Sequence, residues 1–532
     1  MGVLGQLLSK GYFPKELPPA FTTENFSSAV TQTSFTPNNC LVAPKANGTL
    51  VHARESISQL CKHNIARLNG TSRPLHIPHP SHFFYLCQEL DNKWAEVDAQ
   101  LRKSTLSISR PTSDPNSIRA YIPSEPGSAR PNRRIKDRAQ GNTLLIADIA
   151  NFYGTVYTHS IPWALHTKLV AKDNRNDLSY LGNALDKYVQ NGQDGQTSGI
   201  PIGTDTSFII AEIILSSIDK TLQEKHPGLV GFRFYDDYEL VCDDEFSARQ
   251  ILADLETQVA EYELALNHRK TKIIRLPDEI DHLWLTDLRQ FKLVPNNINK
   301  HREHLIDFAN LVFSLSKRYP NEPILRYALV LVKATPEFRP QPFWDIYQNF
   351  LLQVFRSEPQ VSHLVAGELL KYKNRGVQIE KISLQKAINS HISHYTSTRA
   401  TNEIAWALWM AILFEIRIND EIAKKLVKIP DNVVAILSLD TQNKGLFTSI
   451  LDTSLWKSKL TKTNIYSEDW LLVYEAAAKD WLTIADGSNY IRNHQCFGKL
   501  NSDGVSFYNE NSYGNVEAIL KQLEINTDLY GM

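Results

Sequence analysis

The chain is poor in cysteine and carries almost no net charge. Its five cysteines among 532 residues show no CxxC spacing, which argues against a zinc ribbon or a disulfide framework. The 57 basic and 58 acidic side chains give a formal charge of −1, so the whole molecule is not a polycation that binds nucleic acid indiscriminately. Any attraction to phosphate must then come from a local group of basic residues.

Long apolar runs are also missing. The first ten residues lack the apolar core of a secretory signal peptide, and no uninterrupted apolar stretch has the length of a membrane span. The sequence therefore predicts a cytoplasmic protein with no membrane partner. Its hydrophobic content of 42% supports sizeable cores. The length allows about three or four domains.

The most informative stretch is residues 231–242, with the sequence GFRFYDDYELVC. Asp236 and Asp237 stand between two short runs rich in aromatic and β-branched residues, a pattern that predicts a β-hairpin with the acids at its turn. Adjacent carboxylates repel each other unless a cation lies between them. Mg²⁺ prefers oxygen ligands and is commonly held by one or two carboxylates together with substrate phosphates.

A third acid, Asp148, ends the apolar run of residues 142–148. This run predicts a buried strand that places the acid at its C-terminal edge. The predicted order of strand, helices, hairpin, helix and strand suits a split βαβ sheet with helices packed on one face. On such a sheet Asp148 can lie beside Asp236 and Asp237, which would complete a two-metal phosphoryl-transfer site.

Four segments resemble the palm motifs of reverse transcriptases in their order and spacing; they are residues 148–153, 199–203, 234–237 and 266–271. Three more are similar to the bacterial abortive-infection (Abi) reverse transcriptases, especially the prophage-borne type; they are residues 11–19, 73–80 and 151–163. The resemblance covers roughly residues 1–290. Beyond them only a general helical character is shared.

The resemblance implies an α+β fold with reverse-transcriptase-like fingers and palm, followed by an all-α domain of HEAT-like helical repeats. Helical spacing of apolar residues after about residue 295 agrees with this, and residues 401–416 are apolar almost all round, as expected for a buried helix. The predicted regions are an N-terminal arm (1–50) that is extended over the body, reduced fingers (51–140), the palm (141–290) and the helical repeat domain (291–532).

The resemblance also implies the roles of the acidic residues. Asp148, Asp236 and Asp237 would hold two Mg²⁺ ions, with Mn²⁺ as an alternative metal and the Ile149 carbonyl as a further ligand. Such a pair of ions clamps the attacking and leaving oxygens of a phosphoryl transfer. Lys270 would act in catalysis near the leaving pyrophosphate.

Substrate contacts are predicted around this centre. Tyr153 would be the aromatic steric gate that excludes a 2′-hydroxyl and so selects dNTPs. The loop at residues 199–203 would face the substrate through Gly199, Pro201 and Gly203. A basic cluster at residues 130–138 precedes the strand of Asp148, and it either supplies arginines to the triphosphate or is a solvated loop. The arginines concerned are Arg130, Arg133 and Arg134, with Arg73 as a further candidate.

One residue departs from the reverse-transcriptase pattern. Templated members usually carry glutamine where this chain has Ile202, and an isoleucine side chain cannot make the same hydrogen bonds. The Abi group shows a similar relaxation and is associated with DNA synthesis that needs no template and is primed on a protein side chain. Tyr12 is a candidate priming residue if its segment is mobile; otherwise it is an aromatic anchor beside Phe13.

The predicted function is therefore template-independent, protein-primed synthesis of single-stranded DNA from dNTPs in anti-phage abortive infection. The product can remain covalently attached, and the resemblance also implies a homo-oligomer. Two alternatives stay open: a templated reverse transcriptase that uses a dedicated RNA, and a non-catalytic helical scaffold that binds a protein partner.

Overall fold

The computed structural model describes residues 2–32, 41–42, 51–294, 300–483, 490–494 and 496–525. Up to residue 138 the chain forms short helices and two-stranded hairpins. In chain order these are α1 (Val3–Lys10), α2 (Glu24–Gln32), β1 (Leu41–Val42), β2 (Val51–His52), β3 (Cys61–Ala66), β4 (Ser72–Ile77), α3 (Pro80–Asn92), α4 (Trp94–Leu101), β5 (Pro111–Thr112), β6 (Ile122–Pro123) and α5 (Arg130–Arg138).

One expectation for this first part is wrong, and one of the two alternatives for the basic cluster is excluded. The N-terminal segment is not an extended arm in its described residues, because α1 and α2 are helices that bury Leu7, Leu8 and Phe26 in the core. The basic cluster is not a loop, because it forms α5 with Pro131 in the first turn, where a missing N–H costs nothing.

The central part forms a mixed α/β unit. Its elements are β7 (Thr143–Asp148), α6 (Phe152–Thr155), α7 (Ser160–His166), α8 (Lys168–Asp173), α9 (Leu181–Gly192), α10 (Asp205–Lys225), β8 (Val230–Phe234), β9 (Asp237–Cys242), α11 (Glu245–Glu261), β10 (Lys272–Arg275) and α12 (Leu283–Gln290). The predicted hairpin is confirmed as β8 and β9, which pair in antiparallel register.

The central sheet has four strands in the order β10–β7–β9–β8, and every neighbouring pair is antiparallel. Successive side chains of a strand point to opposite faces. On one face the Tyr238 hydroxyl donates to Asp219 of α10 at 2.8 Å. On the other face Glu239 accepts from Arg134 of α5 at 2.8 Å. The sheet therefore lies between α10 and α5.

The rest of the described chain is helical. It comprises α13 (His301–Arg318), α14 (Ile324–Lys333), α15 (Trp344–Ser357), α16 (Ser362–Asn374), α17 (Lys381–Tyr395), α18 (Thr401–Phe414), α19 (Asp420–Leu426), α20 (Asn432–Asn443), α21 (Ser454–Ser458), α22 (Trp470–Ala478), α23 (Tyr490–Asn493), α24 (Phe497–Ser502) and α25 (Val516–Ile525). Every residue of α18 is buried, which confirms the expectation for that segment.

The helical region is joined to the N-terminal part by buried polar contacts. His63 of β3 lies 2.8 Å from Asp431 and 3.1 Å from Asn402 through its two ring nitrogens. The Trp470 indole donates to the Ile77 carbonyl of β4 at 3.2 Å. These contacts fix the β3–β4 hairpin between the palm and the helices. The domain boundaries at residues 50, 140 and 290 stay predictions.

Within the described ranges, no helix combines the length and the apolar character needed to cross a bilayer.

Candidate active site

The ends of two neighbouring strands bring the three aspartates together. Asp148 is the last residue of β7 and Asp237 is the first of β9, and their Cα atoms are direct partners in the antiparallel ladder. The Ile149 N–H donates to the Asp236 carbonyl at 3.2 Å, which extends this pairing past the strand ends. The carboxylates predicted from distant parts of the sequence therefore share one edge of the sheet.

The hairpin turn is held from inside by a buried arginine. Tyr235 has a φ of 54°, a left-handed backbone conformation that residues other than glycine rarely adopt. The Arg233 guanidinium donates to the Tyr235 carbonyl at 2.7 Å, and the Ser109 hydroxyl accepts from the Tyr235 N–H at 2.8 Å. Arg233 is fully buried and pairs with Glu212 and Asp219 of α10, each at 2.8 Å. This network fixes the turn that carries the Asp pair.

The acidic centre is short of positive charge. Burial and the nearby charge of Asp236 raise the pKa of Asp237 to about 7. Burial and the charge of Asp148 also raise the pKa of Asp236. The Lys270 ammonium lies 2.8 Å from Asp148 Oδ2. Burial lowers the pKa of Lys270, but this hydrogen bond and the charges of the three aspartates together outweigh burial and raise that pKa. A further cation would relieve the remaining repulsion.

The donor set fits a magnesium ion that also binds substrate. Among the residues the structure describes, no three His, Cys, Asp or Glu side chains are gathered into a preformed metal cage. Mg²⁺ does not need one, because it is usually held by one or two carboxylates plus substrate phosphates and water. Asp148, Asp236 and Asp237 offer hard oxygen ligands, which suit Mg²⁺ and Mn²⁺. Lys270 already places a cation against Asp148.

Tyr153 lies beside this centre. Burial raises its pKa well above the usual range, and the charges of Tyr235 and Asp236 add to the shift. Its carbonyl accepts from the Ile200 N–H at 2.8 Å, so the loop at residues 199–203 packs directly behind it. Gly199 has a φ of 82°, and an added Cβ would lie 3.3 Å from the Gly154 carbonyl oxygen. The positive φ favours glycine there, and an added Cβ would make a tight contact.

The other end of that loop is clamped by an arginine. Arg119 donates to the carbonyls of Phe13 at 2.6 Å and Gly203 at 3.0 Å, and to the Asp205 carboxylate at 2.9 Å. A Cβ on Gly203 would lie 2.7 Å from Pro14 Cγ. The N-terminal segment and the loop are therefore packed as one unit.

Ile202 is clamped from a second side. Its N–H donates to His76 Nδ1 at 3.0 Å, and its carbonyl accepts from the His76 N–H at 2.9 Å. Burial lowers the pKa of His76 to about 4, which keeps the imidazole neutral and able to accept. Pro201, next to it, is buried. Both main-chain polar groups of Ile202 are thus occupied by the hairpin that carries Arg73.

The arginines of α5 are engaged by acids. Arg130 and Arg134 pair with Glu239 at 3.1 and 2.6 Å, and Arg133 pairs with Glu125. These contacts tie α5 to the palm sheet and to the segment before α5. The predicted triphosphate role of the three arginines receives no support from these pairings.

Arg73 of β4, the further candidate, lies nearer to the acidic centre. Its charge acts on both Asp236 and Tyr153, so it lies at the same centre. Within the described part of the chain, its half-buried side chain has no hydrogen bond or ion pair. The neighbouring Arg67 is a second cation. Burial lowers the pKa of Arg67, and the charge of Arg73 lowers it further.

Tyr12 is the anchor rather than a mobile residue. Its side chain is fully buried and its hydroxyl donates to the Pro78 carbonyl at 2.6 Å. Its ring stacks on Phe83 with centroids 4.1 Å apart. The structure therefore contradicts the condition under which Tyr12 was a candidate priming residue.

An antiparallel sheet with acids at adjacent strand ends and a glycine loop behind them is the arrangement that the resemblance to a polymerase palm implies. Residues 90–296 match the family model described as reverse transcriptase (RNA-dependent DNA polymerase). This match supports a reverse-transcriptase-type polymerase domain within these residues, and the protein is a nucleotidyltransferase, as the sequence predicted. The match covers less than half of the 532 residues. No curated protein matches the chain.

Proposed function

We propose that the protein is a two-metal DNA polymerase that makes single-stranded DNA from dNTPs without a template, primed on one of its own side chains. Ile202 carries the template-independent part of this proposal. Its side chain offers no hydrogen bond to a template or an incoming base, its N–H is already bonded to His76, and its carbonyl already accepts from His76.

The residues of the centre have separate roles in this proposal. Asp148, Asp236 and Asp237 would hold the ions, and the Ile149 carbonyl stays a predicted further ligand. Bound ions would lower the pKa of the attacking hydroxyl and neutralise charge on the triphosphate. Lys270 keeps its ammonium at Asp148, within reach of a leaving pyrophosphate.

The wider biological setting is proposed on the Abi resemblance. It comprises the prophage-borne subtype, a cytoplasmic anti-phage role, a homo-oligomer, HEAT-like repeats in the helical region and a product that stays attached to the protein. The fixed position of Tyr12 means that the primer is another residue, or that the N-terminal part rearranges before synthesis.

Synthesis without nucleic acid additives tests the proposal. Purified protein, freed of nucleic acid by nuclease treatment and repurified, is incubated with Mg²⁺ and each labelled dNTP separately. We expect a labelled ladder on a denaturing gel that collapses after protease digestion. Labelling that requires added or copurifying RNA, with a product complementary to it, would support the templated alternative instead. An antiviral effect that survives Asp236→Asn would support the scaffold alternative.

Loss of the Tyr153 ring should relax sugar selection. The Tyr153→Ala variant removes the bulk that would collide with a 2′-hydroxyl, and steric discrimination of this size is worth about 10- to 200-fold. We expect the ratio of dNTP to rNTP incorporation, measured as kcat/KM, to fall by about that factor. Tyr153→Phe keeps the ring and should keep the ratio. Equal selectivity in wild type and Tyr153→Ala would remove the steric-gate role.

Removal of the Arg73 charge should weaken nucleotide binding. A hydrogen bond to a charged group contributes about 1.5–3 kcal/mol, so Arg73→Gln should raise the KM for dNTPs by roughly 10- to 100-fold. Steady-state incorporation over a range of dNTP concentrations measures this. Lys62→Gln is the matched control, because Lys62 lies on the same hairpin and faces Glu468 at 3.8 Å. A similar KM in all three proteins would exclude Arg73 from the triphosphate site.

A further inference from the structure

A small cavity lies where the palm meets the helical region. Its volume is about 130 Å³, and its walls come from α5, from the start of α12 and from α14. A single water occupies about 30 Å³ of liquid, so the space exceeds what one or two waters need. It is large enough for a small anion or for part of a nucleotide, and it is formed by residues other than the three aspartates.

The walls of this cavity are rich in positive charge. Arg130, Arg134 and Arg326 line it, against the single carboxylate of Asp281. Arg130 and Arg134 also converge with Arg138 on one buried carboxylate, that of Glu239, at 3.1, 2.6 and 3.7 Å. The two of these arginines that line the cavity, Arg130 and Arg134, thus pair with the same carboxylate. The lining arginines outnumber the lining carboxylate, so an added anion would stabilise these half-buried cations.

Two buried donors in the walls have no acceptor among the described residues. They are the Arg130 Nε–H and the indole N–H of Trp284, whose side chain is 3% exposed. Buried N–H groups in folded proteins are nearly always paired, and leaving one unpaired is costly. Both donors belong to residues that line the same cavity. This arrangement is expected of a site that binds a ligand through its oxygen atoms.

We propose that this cavity binds a phosphate group, either free or carried by a nucleotide, as a second site apart from the aspartates. Guanidinium groups suit phosphate because their planar donors match its oxygens in pairs. The Trp284 indole supplies one more donor, and Trp284 packs edge-on against Tyr327 with centroids 5.4 Å apart. Both rings are buried in the wall of the cavity, where they can contact an apolar part of a bound ligand.

The site adjoins the catalytic hairpin. The Arg130 guanidinium lies 5.3 Å from the centre of the Phe234 ring, and Phe234 is the ladder partner of Asp237. A phosphate that draws on Arg130 would therefore act next to the catalytic strands. Phosphate binding at this cavity requires neither template use nor priming.

Calorimetric titration of the full-length protein in EDTA tests the proposal, because chelation removes metal-dependent binding at the aspartates. With inorganic phosphate we expect one site per chain. Arg326→Gln should weaken binding at least tenfold, and Trp284→Phe, which keeps a ring but removes the N–H, should weaken it several-fold. Arg302→Gln should have no effect, because Arg302 is exposed and faces Asp345. Thermal unfolding of each variant without phosphate shows that it is folded.

Two further titrations identify the source of the phosphate group and show whether it binds at the cavity or at the aspartates. Tighter binding of dAMP than of phosphate would identify a nucleotide as the source, whereas equal binding would identify free phosphate. Asp236→Asn should bind phosphate as wild type does. The proposal is overturned if wild type binds no phosphate, if Arg326→Gln and Trp284→Phe both bind it normally, if deoxyadenosine binds as tightly as dAMP, or if Asp236→Asn abolishes binding.

Discussion

Replacing Asp236 with asparagine should reduce nucleotide incorporation by at least about a thousandfold. The change keeps the shape of the side chain but removes a negative charge from the group that faces Asp148 and Asp237. Metal ions contribute several kcal/mol of charge stabilisation in phosphoryl transfer, and a loss of about 4 kcal/mol corresponds to three powers of ten in rate. Incorporation of labelled dNTP per enzyme, with Mg²⁺ in excess, measures the loss.

Asp243→Asn is the matched control. Asp243 lies at the far end of the same strand pair and is exposed, so its replacement should leave the rate within about twofold of wild type, as for most surface changes. If Asp236→Asn keeps more than a tenth of wild-type activity while folded, the carboxylate at this position does not serve catalysis.

Replacing Arg233 with methionine should destabilise the protein by about 3–5 kcal/mol. The variant would leave the carboxylates of Glu212 and Asp219 buried without their cation, and removing one partner of a buried ion pair carries a penalty of this size. The Tyr235 carbonyl would also lose its donor beneath the hairpin turn. Urea unfolding, followed by tryptophan fluorescence, measures the change in the free energy of unfolding.

Arg249→Met is the control for this second variant. Arg249 forms an exposed pair with Glu245 one turn away on α11, and exposed pairs of this kind contribute less than about 0.5 kcal/mol. Equal unfolding midpoints for Arg233→Met and Arg249→Met would show that the buried network does not support the hairpin. If the activity of Arg233→Met, relative to wild type, is much lower than the fraction of the variant that is folded, the turn needs this support for catalysis.

The central sheet was predictable because its signals are local. Alternating and apolar runs predicted the strands that became β7, β8 and β9, and the adjacent acids predicted the turn between two of them. The pairing of Asp148 with Asp237 followed from the order of the elements. The complete burial of α18 was equally visible in its apolar sequence.

The clamps on the glycine loop were not predictable from residue types. His76 and Arg119 hold Ile202 and Gly203 largely through main-chain atoms, which every residue possesses. The partners are also separated by 126 and 84 residues, so no local spacing links them. Only the fold brings these groups together.

The partners of the charged cluster at residues 130–138 were not predictable for a related reason. Its basic residues are visible in the sequence, but the acids that engage them are not local: Glu239 lies 109 residues from Arg130. The N-terminal helices were not predicted because the segment is rich in serine, threonine and proline, and its apolar groups, such as Leu7 and Leu8, are short. In both cases tertiary contacts outweighed local composition.

A crystal structure with Mn²⁺ and a non-hydrolysable dNTP would test the two-metal centre most directly. Anomalous scattering should show two Mn²⁺ ions in contact with the carboxylates of Asp148 and the Asp236–Asp237 pair, with the triphosphate bound to both. Crystals that hold the nucleotide elsewhere, or that show no Mn²⁺ beside these three side chains, would contradict the account.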